Sequence, residues 1–417
     1  MPIEILKPRH KRFGDDGRRF FRWLRSCAHK APMNVSFLLL SAKPGAMKEM
    51  DENGHTPLHR ACCRRLSKKV VSILFNKWPN AIKVKDFADC TPLHCACMFL
   101  ASFEVISLLL DRWPGAIKEK DWHGWTPLHH ACYNESSVDV MSLLLNSWPD
   151  AIKLKDNHGC FPLHCACMYK SSTDMVSLVL SRWPDAIKEK DSHGWTPLHY
   201  VCNQRASVDV ISLLLSSWPD MIKQKDHRGC TPLHTACLFQ ASPNVISLLL
   251  KSWPGATKEK NNLGHTPLHC ACNNWTSVGV VSLLLSSWPA AIKEKDKYGK
   301  APWHCGSKYT SRTLIMHMRG KGDGKTLKIL LFCVSSLYSD EKANDNPSLN
   351  DIMRFFINIE WWNGVLLLVD KHPSITKTLN LHTNIMPHFL SVVGKCCNLT
   401  TMWEIIENEQ ELLANVQ

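Results

Sequence analysis

The chain has 417 residues, a formal net charge of +13 and nineteen cysteines. No apolar run approaches the roughly 18 residues that cross a bilayer, and no secretory apolar segment follows the N-terminus, which argues against a membrane-spanning or secreted protein. The cysteines are therefore expected as reduced thiols in a cytoplasmic compartment, or a nuclear one if the basic N-terminus acts as an import signal.

Residues 1–20 are polar, basic and without periodicity, and are predicted to be a disordered leader. Lys7, Arg9, Lys11 and Arg12 are its candidate import cluster. From residue 21 the chain becomes periodic. Cys27, Pro44 and Asp51 each lie 35 residues before Cys62, Pro79 and Asp86, while Arg22 and Arg25 stand where later copies are apolar or small. A copy altered in this way suits the end of a stack, where one face meets water.

Seven fuller copies follow over residues 56–300. Thr-Pro-Leu-His begins at Thr56, Thr91, Thr126, Thr196, Thr231 and Thr266, with a Phe161 variant and a weaker Ala301 variant, always 35 residues apart. Thr suits a helix N-cap and Pro the first helical position, where its missing N–H has no partner to lose. A second apolar run follows, as in Val138, Val140, Met141, Leu143, Leu144 and Leu145, and then Trp-Pro, which stops the helix. The seven tryptophans of this dipeptide (Trp78, Trp113, Trp148, Trp183, Trp218, Trp253 and Trp288) are predicted to be a structural ladder packed on the second helix.

A period of 70 overlies the 35. Cys90, Cys160 and Cys230 precede alternate tetrapeptides, and His55, Trp125, Trp195 and His265 precede the others. This pattern is consistent with duplication of a two-repeat unit.

The tetrapeptide, the small residues after it and the two short helices resemble the ankyrin repeat over roughly residues 21–305. The chain departs from that family in its 35-residue period, where 33 is usual, and in Trp-Pro where a Gly would end the second helix. The resemblance implies an all-α solenoid of helix–turn–helix units joined by β-hairpin turns. It also implies a non-enzymatic scaffold that binds a partner protein through its hairpin tips and the concave face of its first helices. On this sequence those positions are Trp122, His123, Trp125 and Trp195 at the tips, and Met98, Phe99, Tyr133, Met168, Tyr169, Leu238 and Phe239 on the helices. The domain reading is a leader at 1–20, an array of about nine repeats at 21–320 and a small helical domain at 321–417, with helices expected at 326–338, 349–360, 362–371, 385–396 and 400–414.

Other chemistry is less well supported by the residues. His94 and Cys97 share a helix face but give two ligands where structural zinc takes four. Residues 320–326 (GKGDGKT) are one residue short of a phosphate-binding loop and read as a linker. No nucleophile–base pair stands out, so neither catalytic residues, a cofactor, a metal nor a small-molecule substrate is assigned, and a monomer is expected. Lysines such as Lys118, Lys120, Lys188 and Lys190 are expected to form a solvated stripe along one edge. The alternative functions left open are an adaptor whose C-terminal domain binds nucleotide or is catalytic, and a basic-surface nucleic-acid binder, which is disfavoured.

Overall fold

The computed structural model describes residues 48–168, 172–203, 207–304, 323–338, 347–372 and 375. The leader, most of the altered first copy, Tyr169 and the expected helices at 385–396 and 400–414 lie outside these residues. The chain divides into two compact units, residues 1–227 and 228–417.

The first unit contains five helix pairs: α1 (Pro57–Cys63) with α2 (Lys68–Lys77), α3 (Pro92–Met98) with α4 (Phe103–Arg112), α5 (Pro127–Tyr133) with α6 (Val138–Ser147), α7 (Pro162–Met168) with α8 (Thr173–Arg182), and α9 (Pro197–Asn203) with α10 (Val208–Ser217). The second contains α11 (Pro232–Leu238) with α12 (Pro243–Ser252) and α13 (Pro267–Asn273) with α14 (Val278–Ser287), followed by α15 (Asp323–Ser336), α16 (Leu349–Asn358) and α17 (Trp362–Lys371). Within each unit the pairs stack side by side, first helix on first helix and second on second, as in a helical repeat solenoid. Helices of seven and ten residues are marginal alone, and burial of Leu58, Leu93, Val105, Leu128, Met141 and Leu144 between neighbours is what holds them.

The tetrapeptide caps its helix reciprocally. In α5 the Thr126 N–H donates to His129 Nδ1 at 3.2 Å, and Thr126 Oγ1 lies 2.9 Å from the same nitrogen. His129 thus takes the place that Glu or Gln has in a capping box. Its Nδ1 accepts, so Nε2 carries the proton and reaches the Cys160 carbonyl of the next repeat at 3.3 Å. His59 and His94 make the same bond to Cys90 and Trp125, and in the second unit His234 and His269 reach His265 and Lys300. One side chain therefore starts a helix and ties two repeats.

The 35-residue period has two local causes. Between the helices, Arg65, Leu100, Glu135, Gln240 and Trp275 adopt left-handed backbone with φ of 51–56°. Each closes a turn of Schellman type, in which Leu66 N–H reaches the Ala61 carbonyl and Ser136 N–H the Ala131 carbonyl. After the second helix, the Trp is extended (Trp148 φ −152°, ψ 87°) and its N–H still bonds the Leu144 carbonyl. Pro149 then begins a 3₁₀ turn, Pro149–Lys153, that buries Ala151 and Ile152. The seven tryptophans themselves are half-buried. Trp113 folds back over Gly115, where a Cβ would meet its Nε1 at 2.9 Å. The ladder is thus a row of flanking plates, because the apolar positions of the 3₁₀ turn already fill the core.

The connection between repeats is a tight turn, and no strand occurs among the described residues. One backbone pair, Asp121 N–H to the Trp125 carbonyl at 3.0 Å, closes it, too short for the expected β-hairpin ladder. Gly124 sits at φ +78° with the Asn157 nitrogen 2.9 Å from where a Cβ would be, so both conformation and space require glycine there.

In the second unit α16 and α17 pack on each other and bury Ile352, Phe356 and Leu368, while α15 packs on the last described repeat and buries Leu330 and Val334. They rest on the last described repeat, where Trp361 Nε1 donates to Ser286 Oγ at 2.8 Å and Lys328 lies over the Trp275 ring. Asp323 to Thr326 belong to the first turn of α15 rather than to a linker.

Candidate partner-binding surface

The turn tips stack through one backbone bond per repeat. Phe87 N–H donates to the Asn53 carbonyl, Trp122 to Ala88, Asn157 to His123, Ser192 to His158 and His227 to His193, at 2.9–3.1 Å. Fixed in this way, the first tip residue of successive repeats points outward. Phe87 is 62% exposed and Trp122 49%, and Asn157, Ser192 and His227 are exposed in the same slot. The Trp122 ring meets His123 edge-on at 4.8 Å. Phe87 escaped the sequence reading although it stands 35 residues before Trp122, so carrying the tip position back by one repeat could have found it.

The ends of the first helices carry the other predicted positions. Phe99 is 39% exposed, while Met98, Tyr133 and Met168 are half-buried. In the second unit Phe239 is 45% exposed and Leu238 half-buried.

Trp125 and Trp195, expected as exposed tip aromatics, are half-buried in the seam beneath the tips. Trp125 Nε1 donates to Asp156 Oδ2 at 2.8 Å, and its ring meets His130 and Tyr133. Trp195 Nε1 donates to Asp226 Oδ2 at 3.1 Å, and its ring meets Tyr200. They are adjacent to the tips in sequence, but their side chains turn inward because a buried carboxylate waits below.

These carboxylates explain the 70-residue alternation. Asp51, Asp86, Asp121, Asp156 and Asp191 each use Oδ1 to accept two backbone N–H groups, as Asp156 does from His158 and Cys160 at 2.7–2.8 Å. The Oδ2 atom takes a strong donor from one kind of repeat only; the other offers at most a thiol, as Cys90 Sγ does to Asp121 Oδ2 at 3.9 Å. The repeat of α5 supplies His130 Nε2 to its own Asp121 at 2.9 Å and Trp125 to the following Asp156. The repeat of α9 supplies the Tyr200 hydroxyl to Asp191 at 2.6 Å and Trp195 to Asp226. The repeat of α1 supplies Arg60 to Asp51 and His55 to Asp86. Intervening repeats place thiols, Cys90 with Cys95 and Cys160 with Cys165, at the matching positions. In the second unit Cys270 replaces the bulky donor, and the acid becomes Asn261, whose Nδ2 faces Cys230 Sγ at 3.5 Å.

The lysine stripe is tied down. Lys85, Lys120 and Lys190 each donate from Nζ to the carbonyl of the lysine 35 residues on, as does Lys260 in the second unit. The stripe is a set of straps between repeats as much as a solvated edge. His94 and Cys97 are buried, with His94 committed to Thr91 and the Trp125 carbonyl.

Two other clusters bring ligand atoms within 4.8 Å of one another: His55, Cys63 and Cys95, and Cys90, Asp121 and His130. In the second, His130 and Asp121 already satisfy each other. The described cysteines are all free thiols. No helix among the described residues is long and apolar enough to cross a membrane.

A family profile described as ankyrin repeats (3 copies) matches residues 25–121, 69–153, 102–191, 149–224, 175–262 and 207–296. No curated protein matches the chain.

Proposed function

Because the chain belongs to the ankyrin repeat family, whose members generally serve protein–protein interaction and are generally non-catalytic, we propose that it is a scaffold that binds a partner protein across the turn tips and first-helix ends of residues 87–133. The observation that carries this reading is the pair Phe87 and Trp122, large aromatics exposed at successive, backbone-bonded tips. Polar residues hold the same slot elsewhere, so the fold does not require aromatics there. Exposed apolar area on a rigid edge points to a partner, and rigidity lowers the ordering cost of binding. His123, Met98, Phe99 and Tyr133 flank the pair. Trp125 and Trp195 contribute an edge each and act mainly by holding the tips. Met168, and in the second unit Leu238 and Phe239, are the matching helix-end positions of later repeats.

The test is titration of a partner captured with the full chain, beside denaturant melts. Phe87→Ser and Trp122→Ser should leave stability within about 0.5 kcal/mol, as surface changes do. Affinity should fall by about 2 kcal/mol or more, roughly 30-fold. Unchanged affinity in both variants would move the binding face away from these tips.

A further inference from the structure

Cys63 stands apart from the other residues of its slot. It is the last residue of α1, and the same position is Met98, Tyr133, Met168 and Leu238 in later repeats. Its side chain is half-buried, and its sulfur lies within 4.8 Å of both the Cys95 sulfur on α3 and a nitrogen of the His55 ring. Cys95 itself is buried. The cluster thus spans the seam between the first two described repeats, with one thiol reachable from solvent and one behind it.

The surroundings of His55 favour a positive charge. Its two ring nitrogens lie 3.4 Å from Asp51 Oδ2 and 3.2 Å from Asp86 Oδ2. Burial works against the charged ring, but the two carboxylates outweigh it and raise the imidazole to about 9. The hydrogen bond with Cys95 holds the Cys63 thiol below its ordinary range, opposed by burial and assisted by His55 and Arg60. The Cys95 thiol is pushed up by the same bond and by burial. A nucleophilic sulfur, a cation beside it and a protonated second thiol behind it are the parts of a peroxide-responsive cysteine with a resolving partner.

We infer that Cys63 and Cys95 are a redox pair that a hydroperoxide converts into a disulfide between α1 and α3. The Cys63 thiolate attacks one peroxide oxygen, forming S–O and breaking O–O. The departing oxygen takes a proton from His55 and leaves as water or alcohol. Cys95 then loses its proton to His55 and attacks the Cys63 sulfenic sulfur. S–S forms, S–O breaks, and the hydroxide leaves as water with that proton. Overall two thiols and one hydroperoxide give one disulfide, one water and one water or alcohol, and a dithiol reverses the bond. The reading is independent of what the tips bind, and its consequence is a covalent clamp on the seam between the repeats that carry Cys63 and Cys95.

The test is exposure of the reduced full chain to a few equivalents of hydrogen peroxide at neutral pH, alkylation, and non-reducing peptide mapping. The expected result is one cross-linked peptide pair joining Cys63 to Cys95, lost on dithiothreitol treatment, while the other described thiols stay alkylatable. His55→Gln should slow its formation at least tenfold. In Cys95→Ala, Cys63 should accumulate as a sulfenic acid trapped by dimedone, which separates a reactive Cys63 from a folding defect. The inference is overturned if Cys63 oxidises no faster than buried Cys97, if it pairs with another cysteine, or if His55→Gln leaves the rate unchanged. One zinc ion bound per chain that shields both thiols would also overturn it, making the cluster a metal centre.

Discussion

Asp121 and Asp156 occupy the same slot in successive repeats and close the same turn, yet they are satisfied from opposite sides. Asp121 takes its second bond from His130 on the helix that follows it, and Asp156 takes its own from Trp125 in the repeat before. The first bond stabilises one repeat from within, whereas the second couples two. In a stack governed by intrinsic and nearest-neighbour contributions, these are different quantities that one residue type supplies.

Acid should weaken both kinds of repeat, because they share the tetrapeptide histidine. Burial lowers His59, His129 and His164 to about 4 and His94 to about 3. Each folded value lies below the unfolded 6.5, so the unfolded chain takes up protons first as pH falls. Stability should therefore be complete above about pH 6.5 and be lost between there and pH 4. At about 1.4 kcal/mol per pH unit the loss is roughly 3 kcal/mol per histidine. His55 runs the other way, since its raised value makes its contribution full below pH 6.5 and lost as pH rises through about 9. Denaturant melts from pH 4 to 10 check both limbs, and a first unit indifferent to pH between 7 and 4 would contradict the neutral, buried histidine.

A conservative substitution sharpens the comparison. Asp156→Asn keeps the turn but can place an amide N–H against the Trp125 N–H, and indole only donates. It should cost about 2–3 kcal/mol, the range for a buried donor left unmade. Asp121→Asn and Asp191→Asn face His130 and Tyr200, which can accept instead, and should cost under about 1 kcal/mol. The natural Asn261 follows the same logic, since it faces a thiol. Equal costs at Asp121 and Asp156 would mean that the choice of donor does not matter.

How much of this was legible depended on how far apart the interacting residues lie. The period, the Thr-Pro helix start and the Trp-Pro stop are local, and the sequence shows them directly. The alternation of Cys90 and Cys160 with Trp125 and Trp195 was visible as a pattern, but its cause was not. Trp125 and Asp156 are 31 residues apart, and they meet only once one repeat lies on the next. The same gap misplaced Trp125 and Trp195 at the surface, since a backbone position beside a tip does not fix which way a side chain turns. At the tips themselves, Trp122 was placed by the family resemblance, and Phe87 needed only a step of 35 residues back from it.

Smaller effects test what the two kinds of repeat have in common. Trp148 and Trp183 flank the 3₁₀ turn in a donor repeat and in a thiol repeat. Each Trp→Ala change should cost about 1–2 kcal/mol, less than the 3–5 of a fully buried aromatic because the ring is partly in water. Melts that show a core-sized loss at either site would make the ladder part of the core. The smallest change is a gain. Glu135 holds left-handed backbone at φ 56°, and Glu135→Gly removes that cost while adding unfolded-state freedom. A net stabilisation of about 0.5 kcal/mol is expected in the same melts.

The sharing of donors also governs how this chain can change length. Removing residues 121–155 would set Asp156 after Cys90, with Cys165 as its own helix partner, and the buried oxygen would face two thiols and no strong donor. Removing residues 156–190 would bring Trp125 and Tyr200 together on Asp191, two bulky groups at one oxygen. Removing residues 121–190 joins Cys90 to the repeat of Asp191 and Tyr200, the junction that Cys160 already makes. The stack is therefore built in units of 70 residues, and a deletion or insertion of 70 should fold where one of 35 does not.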